Sequence, residues 1–173
     1  MSEPAFSRNV ILRGFEVLSS ELARREFCGR LFVVGGAAMA LAYAARRVTR
    51  DVDAIFEPTA AIYEAARAVA EQLDLPDDWL NDAVKGFMPG PDEAARAMPY
   101  LRGIEITIAS PSYLLAMKLM AMRFGEDDED IQVLLEKADV TTVGQALELL
   151  ERMYPTREPP VKTRFFLEEV LGG

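Results

Sequence analysis

Apolar residues fall at helical spacing early in the chain. Ile11, Phe15, Leu18 and Leu22 recur three or four positions apart, which predicts an amphipathic helix from Ser7 to Arg25. Leu31-Phe32-Val33-Val34 is a continuous apolar run closed by Gly35-Gly36, the pattern of a short buried strand. Ala37 to Ala45 is alanine-rich and predicts a helix. Asp51 to Phe56 reads as a second strand, stopped by Glu57-Pro58. Thr59 is placed to cap a helix whose apolar face is Ile62, Ala65, Val69 and Leu73.

Leu75 to Tyr100 shows no clear period and predicts a short helix from Trp79 to Lys85, with loops around Pro89 to Pro91. From Gly103 to Ala109, Ile104, Ile106 and Ile108 alternate with Glu105 and Thr107, the period of a half-buried strand. Ser110-Pro111 is a helix start, with a hydroxyl to cap and a proline at the first helical position. Helices follow at Ser112–Arg123, Asp127–Lys137, Gln145–Met153 and Arg164–Leu171, and Thr142 with Gln145 fits a capping box. The order predicts an α/β (α+β) protein. Three strands share one small mixed sheet over residues 1–109, with helices mainly on one side, and a helical part over 110–173 packs on that core.

Composition narrows the chemistry. Half of the 173 residues are hydrophobic, enough to bury a core. The net charge of −9 argues against broad binding along a nucleic-acid backbone, although a local basic patch or a bound metal could still bring in a phosphorylated substrate. With no histidine, His-ligated zinc and His-based acid–base chemistry are excluded. A single cysteine, Cys28, allows no intrachain disulfide and suits a reducing cytoplasm. Met1-Ser2-Glu3-Pro4 does not read as a signal peptide, and the longest apolar stretch, Leu31 to Ala45, is too short to span a membrane.

Candidate chemistry concentrates in two places. A strand that ends in Gly35-Gly36 and opens a helix lets backbone N–H groups approach a phosphate; it is also how an ordinary tight turn is built. Asp51 and Asp53 lie two apart on a strand and share a face, where they repel unless a divalent cation joins them or solvent separates them. Glu105 lies opposite the isoleucines of its strand. If that strand neighbours Asp51–Phe56, the three carboxylates converge; otherwise Glu105 is a polar residue on a wet face. Leu115, Lys118, Leu119 and Met122 form one helical stripe, so Lys118 either snorkels to water or pairs with an acid or a phosphate. Asp127 and Asp130 share a face with Ile131 and Leu134, and either point inward or decorate a helix's first turn. Arg46, Arg47, Arg50 and Arg123 could neutralise a triphosphate or form solvated turns, with Arg50, beside Asp51, the best placed. Trp79 and Tyr100 suit core packing better than base stacking.

Gly35-Gly36-Ala37 followed by Asp51-Val52-Asp53 resembles the signature of the DNA polymerase β-type nucleotidyltransferase superfamily. The closer likeness is to small bacterial members related to the AbiEii-type toxins of abortive-infection systems, and it runs from about Leu31 to Leu135. The resemblance implies a minimal nucleotidyltransferase fold. It implies a metal, Mg²⁺ or Mn²⁺, held by Asp51, Asp53 and Glu105, with Glu105 also the candidate base. It further implies a nucleoside triphosphate held at Gly35, Gly36, Ala37, Arg50 and Lys118, with Asp127 and Asp130 in support. The acceptor would be an RNA end such as tRNA, a protein hydroxyl or a small molecule, and a toxin would have a cognate antitoxin. Two departures stand out: Ala37 replaces the usual Ser or Thr, and Glu105 replaces the usual Asp. They motivate a second reading, a catalytically silent nucleotide- or partner-binding protein on the same scaffold; a third is a plain structural or interaction domain whose acids happen to coincide.

Overall fold

The computed structural model describes residues 5–44 and 47–172. They form two compact units, one from Met1–Gly86 with Ala94–Ala109, the other from Phe87–Glu93 with Ser110–Gly173.

The first unit opens with α1 (Arg8–Arg24), capped by the Ser7 hydroxyl, which accepts from the Val10 N–H at 3.4 Å. There follow β1 (Gly29–Val33), α2 (Gly35–Ala38) with a π-helical continuation over Met39–Tyr43, β2 (Val52–Glu57), α3 (Thr59–Leu73), β3 (Leu80–Asn81), a 3₁₀ turn over Ala83–Phe87, β4 (Arg96–Ala97) and β5 (Ile104–Ile108). The strand order is β3-β2-β1-β5-β4. The β1–β2 and β4–β5 pairs are antiparallel, and β1–β5 and β2–β3 are parallel. The three strands expected from the apolar pattern therefore share one mixed sheet.

Register assigns the two sheet faces. Leu31 pairs with Phe56 and Ile106, and Val33 with Ala54 and Ile108, so these side chains share one face, and all are buried. The apolar stripes of α1 (Ile11, Phe15, Leu18, Leu22) and α3 (Ile62, Ala65, Val69) are buried with them. The opposite face carries Arg30, Phe32, Asp53, Ile55, Glu57, Glu105 and Thr107, none fully buried. Candidate chemistry thus falls on the face that α1 and α3 leave uncovered.

Two local expectations are corrected. Trp79 to Lys85 is not a helix: Leu80–Asn81 adds to the sheet as β3, and only Ala83–Phe87 is helical. Trp79 itself is core, 1 % exposed, its ring over Gly14 and its indole N–H donating to the Ala66 carbonyl at 2.9 Å. That anchor draws the chain alongside β2. Thr59 does not cap α3; Pro58 holds that position and the Thr59 hydroxyl donates to the Phe56 carbonyl. The short strand β4 lies in the Leu75–Tyr100 stretch that shows no clear period.

The second unit is helical: α4 (Pro111–Ala121), α5 (Asp128–Lys137), α6 (Val143–Met153) and α7 (Val161–Leu171). Ser110 caps α4, and the capping box of Thr142 with Gln145 opens α6. The Phe87–Glu93 segment is fastened within this unit: Asp92 accepts from both the N–H and the hydroxyl of Ser110, and the Tyr154 hydroxyl donates to the Phe87 carbonyl. The Thr163 hydroxyl donates to the Leu119 carbonyl at 2.8 Å, joining α7 to α4. No helix among the described residues is long and apolar enough to cross a membrane.

Candidate functional site

The site grows out of the end of β1. Val34 continues that strand, its N–H donating to the Asp53 carbonyl at 3.0 Å. Gly35 then turns the chain with φ +61°, a left-handed conformation that costs a side chain about 1 kcal/mol or more. A Cβ there would also stand 3.2 Å from the Asp53 Oδ2 atom. At Gly36 a Cβ would meet the Thr49 Oγ1 atom at 2.6 Å, which is too close. Both glycines are therefore required by what packs on them. Thr49 is fixed by its hydroxyl, which donates to the Asp51 carbonyl, and by paired backbone bonds with Phe6.

The Gly-Gly turn and the Asp51–Asp53 segment are in this way one construction. The first N–H groups of α2 have no intrahelical acceptor, so they stand free of the helix ladder next to the Asp53 carboxylate. Ala37 is buried at the start of this helix and offers no hydroxyl. Gly35→Ala should lower the melting temperature of the protein and weaken divalent-cation binding together, because the strained turn and the Asp53 carboxylate share the space. Unchanged cation affinity in a destabilised variant would separate the two.

Asp51 and Asp53 lie on the same side of the sheet, both beside Asn81 of β3. Burial, and after it the charge of Asp51, push the Asp53 carboxyl up to about 6, against the downward pull of a hydrogen bond from Asn81. Asn81 had no signal in the apolar pattern, since a two-residue strand has no period. It lies on β3, directly in register with Asp53. Its Nδ2 donates to the Asp51 Oδ2 at 3.1 Å, and its Oδ1 accepts from the Ala83 N–H at 3.1 Å.

Glu105 does not join them. It was to converge with the pair if its strand neighboured β2, but β1 lies between β2 and β5. Glu105 shares the sheet face of Asp53, yet its partner on β1 is Arg30, whereas Asp53 pairs at Val34. Four residues of strand separate those levels, roughly 13 Å, in addition to the two strand spacings. Glu105 is instead exposed and 3.7 Å from the Arg30 guanidinium. Among the described residues no group of three or more Asp, Glu or Cys side chains is placed to hold a metal ion. A groove of about 480 Å³ runs along this face, with Arg30, Phe32, Ile55, Glu57, Glu105 and Thr107 among its lining.

Arg50 is exposed in the bend before Asp51, Arg47 is half-buried, and Arg46 lies outside the described residues. In the second unit, Lys118 is an ion-pair centre. Its ammonium lies 2.8 Å from Asp127 and 3.0 Å from Asp130, and both acids are buried. Asp127 also accepts from the Arg123 N–H at 2.9 Å. Burial alone would raise the Asp127 carboxyl; Lys118 and the Arg123 amide outweigh it and hold the group below the usual carboxylate range. Of the two readings of the Lys118 stripe, pairing with acids is the one the structure displays, and both acids point inward. Tyr100 is 87 % exposed, so it does not pack in the core.

Two carboxylates on one sheet face, one of them reluctant to ionise, suit a divalent cation. Mg²⁺ typically takes one or two carboxylates and completes its shell with water and substrate phosphates. The donor set fits that pattern without a third acid. Neither a curated protein nor a solved structure matches the chain. The family model described as "Nucleotidyltransferase of unknown function (DUF6036)" matches residues 13–163, a span that includes the glycine turn, both aspartates and Asn81, and the chain belongs to that family.

Proposed function

We propose that the chain moves a nucleoside monophosphate from a nucleoside triphosphate to a hydroxyl acceptor, with Mg²⁺ or Mn²⁺ held by Asp51 and Asp53. The observation that carries this reading is the contact between the glycine turn and the aspartate pair: Gly35 at φ +61° lies against the Asp53 carboxylate. When bound, the cation neutralises the two aspartates and supplies charge stabilisation for the phosphates. The chain's own part is positioning. Backbone N–H groups at Gly35, Gly36 and Ala37 face the phosphates, and Arg50 adds positive charge beside Asp51. The acceptor oxygen forms its bond to the α-phosphorus as the bond to pyrophosphate breaks, and the hydroxyl proton passes to solvent water. No role in this step falls to Glu105, and Lys118 keeps its charge within its own carboxylate pair.

The acceptor is bounded by charge. The face that carries Asp51 and Asp53 also carries Glu57 and Glu105, against Arg30, in a chain of net charge −9. That balance favours a small-molecule or protein hydroxyl over a long RNA, whereas the resemblance to AbiEii-type toxins favours a tRNA end, with an antitoxin as partner. A second reading, a nucleotide-binding protein without turnover in the cytoplasm, is favoured by two specific features. Ala37 brings no hydroxyl, and among the described residues no third carboxylate stands beside the pair. To test the proposal, each α-labelled triphosphate is incubated with the protein, Mg²⁺ and pools of RNA, protein and small metabolites. Label should move onto one pool with the wild type and not with Asp53→Asn. Equal incorporation by both contradicts the mechanism. Metal-dependent triphosphate binding without any transfer supports the second reading.

A further inference from the structure

We propose that Asn81 is the third group of the site, a neutral positioning residue whose amide holds Asp51 and Asp53 ready for a divalent cation. This rests on the cation reading of the aspartate pair.

Topology makes the assignment. β2 has two neighbours, β1 and β3. On β1 the position level with Asp53 is Val34, an apolar and fully buried residue. Within the sheet, the side chain beside the pair comes from β3, where the residue in register with Asp53 is Asn81. Parallel pairing keeps registered residues on one face, so Asn81 shares the face of Asp53. The adjacent acid, Asp82, is committed elsewhere, accepting a hydrogen bond from the Tyr63 hydroxyl.

The orientation of the amide is set by its own partners. Asn81 Oδ1 accepts from the Ala83 backbone N–H, which a nitrogen could not do. Nδ2 is thereby turned toward the aspartates and donates to Asp51 Oδ2 at 3.1 Å. A carboxamide has the outline of a carboxylate, so the place of a third acid is filled by a group of the same shape with no charge. It aligns the two aspartates without adding to their repulsion. The consequence is a site of lower charge, with fewer anionic ligands for a cation than a three-carboxylate centre, and a neutral donor that steadies its ligands from the side.

The substitutions Asn81→Ala and Asn81→Asp move the site in opposite directions. Removing the amide should weaken Mn²⁺ binding, by about tenfold for a group that orients metal ligands. Asn81→Asp should strengthen Mn²⁺ binding, since added ligand charge raises affinity, and should lower the melting temperature in chelator, where three carboxylates crowd. The chelator loss should shrink in an Asp51→Asn background, because one of the repelling charges is gone. Mn²⁺ affinity is read by calorimetry and electron paramagnetic resonance, and stability by thermal melting with and without chelator. Wild-type affinity in both variants overturns the proposal, as does equal weakening in both, which marks a structural role only. If the wild type binds no Mn²⁺, the cation reading fails and the chelator series decides the contact: a loss in Asn81→Asp that is the same with Asp51 or Asn at position 51 overturns it.

Discussion

Asp53→Asn should abolish nucleotidyl transfer and raise the melting temperature of the metal-free protein at neutral pH. The activity effect follows from the place of Asp53 between the glycine turn and Asn81. An amide of the same size keeps the packing but withdraws half of the negative charge that holds the cation. Transfer should fall by about 10³-fold or more, the upper range for loss of one preorganised electrostatic contact. The stability effect has the opposite sign. The Asp53 carboxyl is raised from 3.8 to about 6 in the folded chain, so the folded state binds more protons than the unfolded one between those values. Its contribution is therefore fully present below 3.8 and is lost as pH rises through about 6. Asparagine carries no charge and escapes that loss, so melting curves of the two proteins in chelator should separate across this window. Saturating Mg²⁺ should close the gap from the wild-type side. A variant that melts below the wild type at pH 7 in chelator would contradict the assignment of Asp53 as a strained carboxylate.

Lys118→Ala should destabilise the second unit strongly. Lys118 is the cation shared by Asp127 and Asp130, and the side chains of both acids are 4 % exposed. Removing it leaves two buried carboxylates facing each other. Loss of one member of a buried ion pair costs about 3 kcal/mol or more, which is roughly a hundredfold in the folding equilibrium. The lower end is appropriate, because the Lys118 side chain itself retains some solvent contact, 13 %. Asp127→Asn placed on Lys118→Ala should restore part of the loss, since it relieves the repulsion. The same cluster sets an acid limit. The folded Asp127 carboxyl lies below its ordinary value, so its contribution is fully present above the unfolded value near 3.8 and disappears as pH falls through the lower folded one. Calorimetric unfolding at pH 7 tests the substitution. Melting indistinguishable from the wild type would show that Lys118 is not what stabilises these acids.

Legibility in the sequence followed periodicity. Ile104, Ile106 and Ile108 announce a strand and its buried face, and that face is buried. What alternation cannot state is strand order. The placement of β1 between β2 and β5 and the register of those strands arise from long-range pairing, and together they remove Glu105 from the aspartates. Asn81 was hidden for the complementary reason. β3 is two residues long and is held beside β2 by the Trp79 anchor and by the Trp79 carbonyl, which accepts from the Val52 N–H at 2.6 Å. A strand made by tertiary contacts leaves no pattern of its own. Lys118 was legible as an anomaly, a charge in an apolar stripe, and its partners lie nine and twelve residues further on, at Asp127 and Asp130. The turn glycines were readable in kind, but the reason each must be glycine, Asp53 at one and Thr49 at the other, exists only in the folded chain.

The most direct measurement is calorimetric titration of a nonhydrolysable nucleoside triphosphate into the wild type and Asp53→Asn, each with Mg²⁺ and with chelator. Binding to the wild type should require Mg²⁺, and Asp53→Asn with Mg²⁺ should bind no better than the wild type in chelator. Binding of equal strength in all four titrations would contradict a cation site at Asp51 and Asp53.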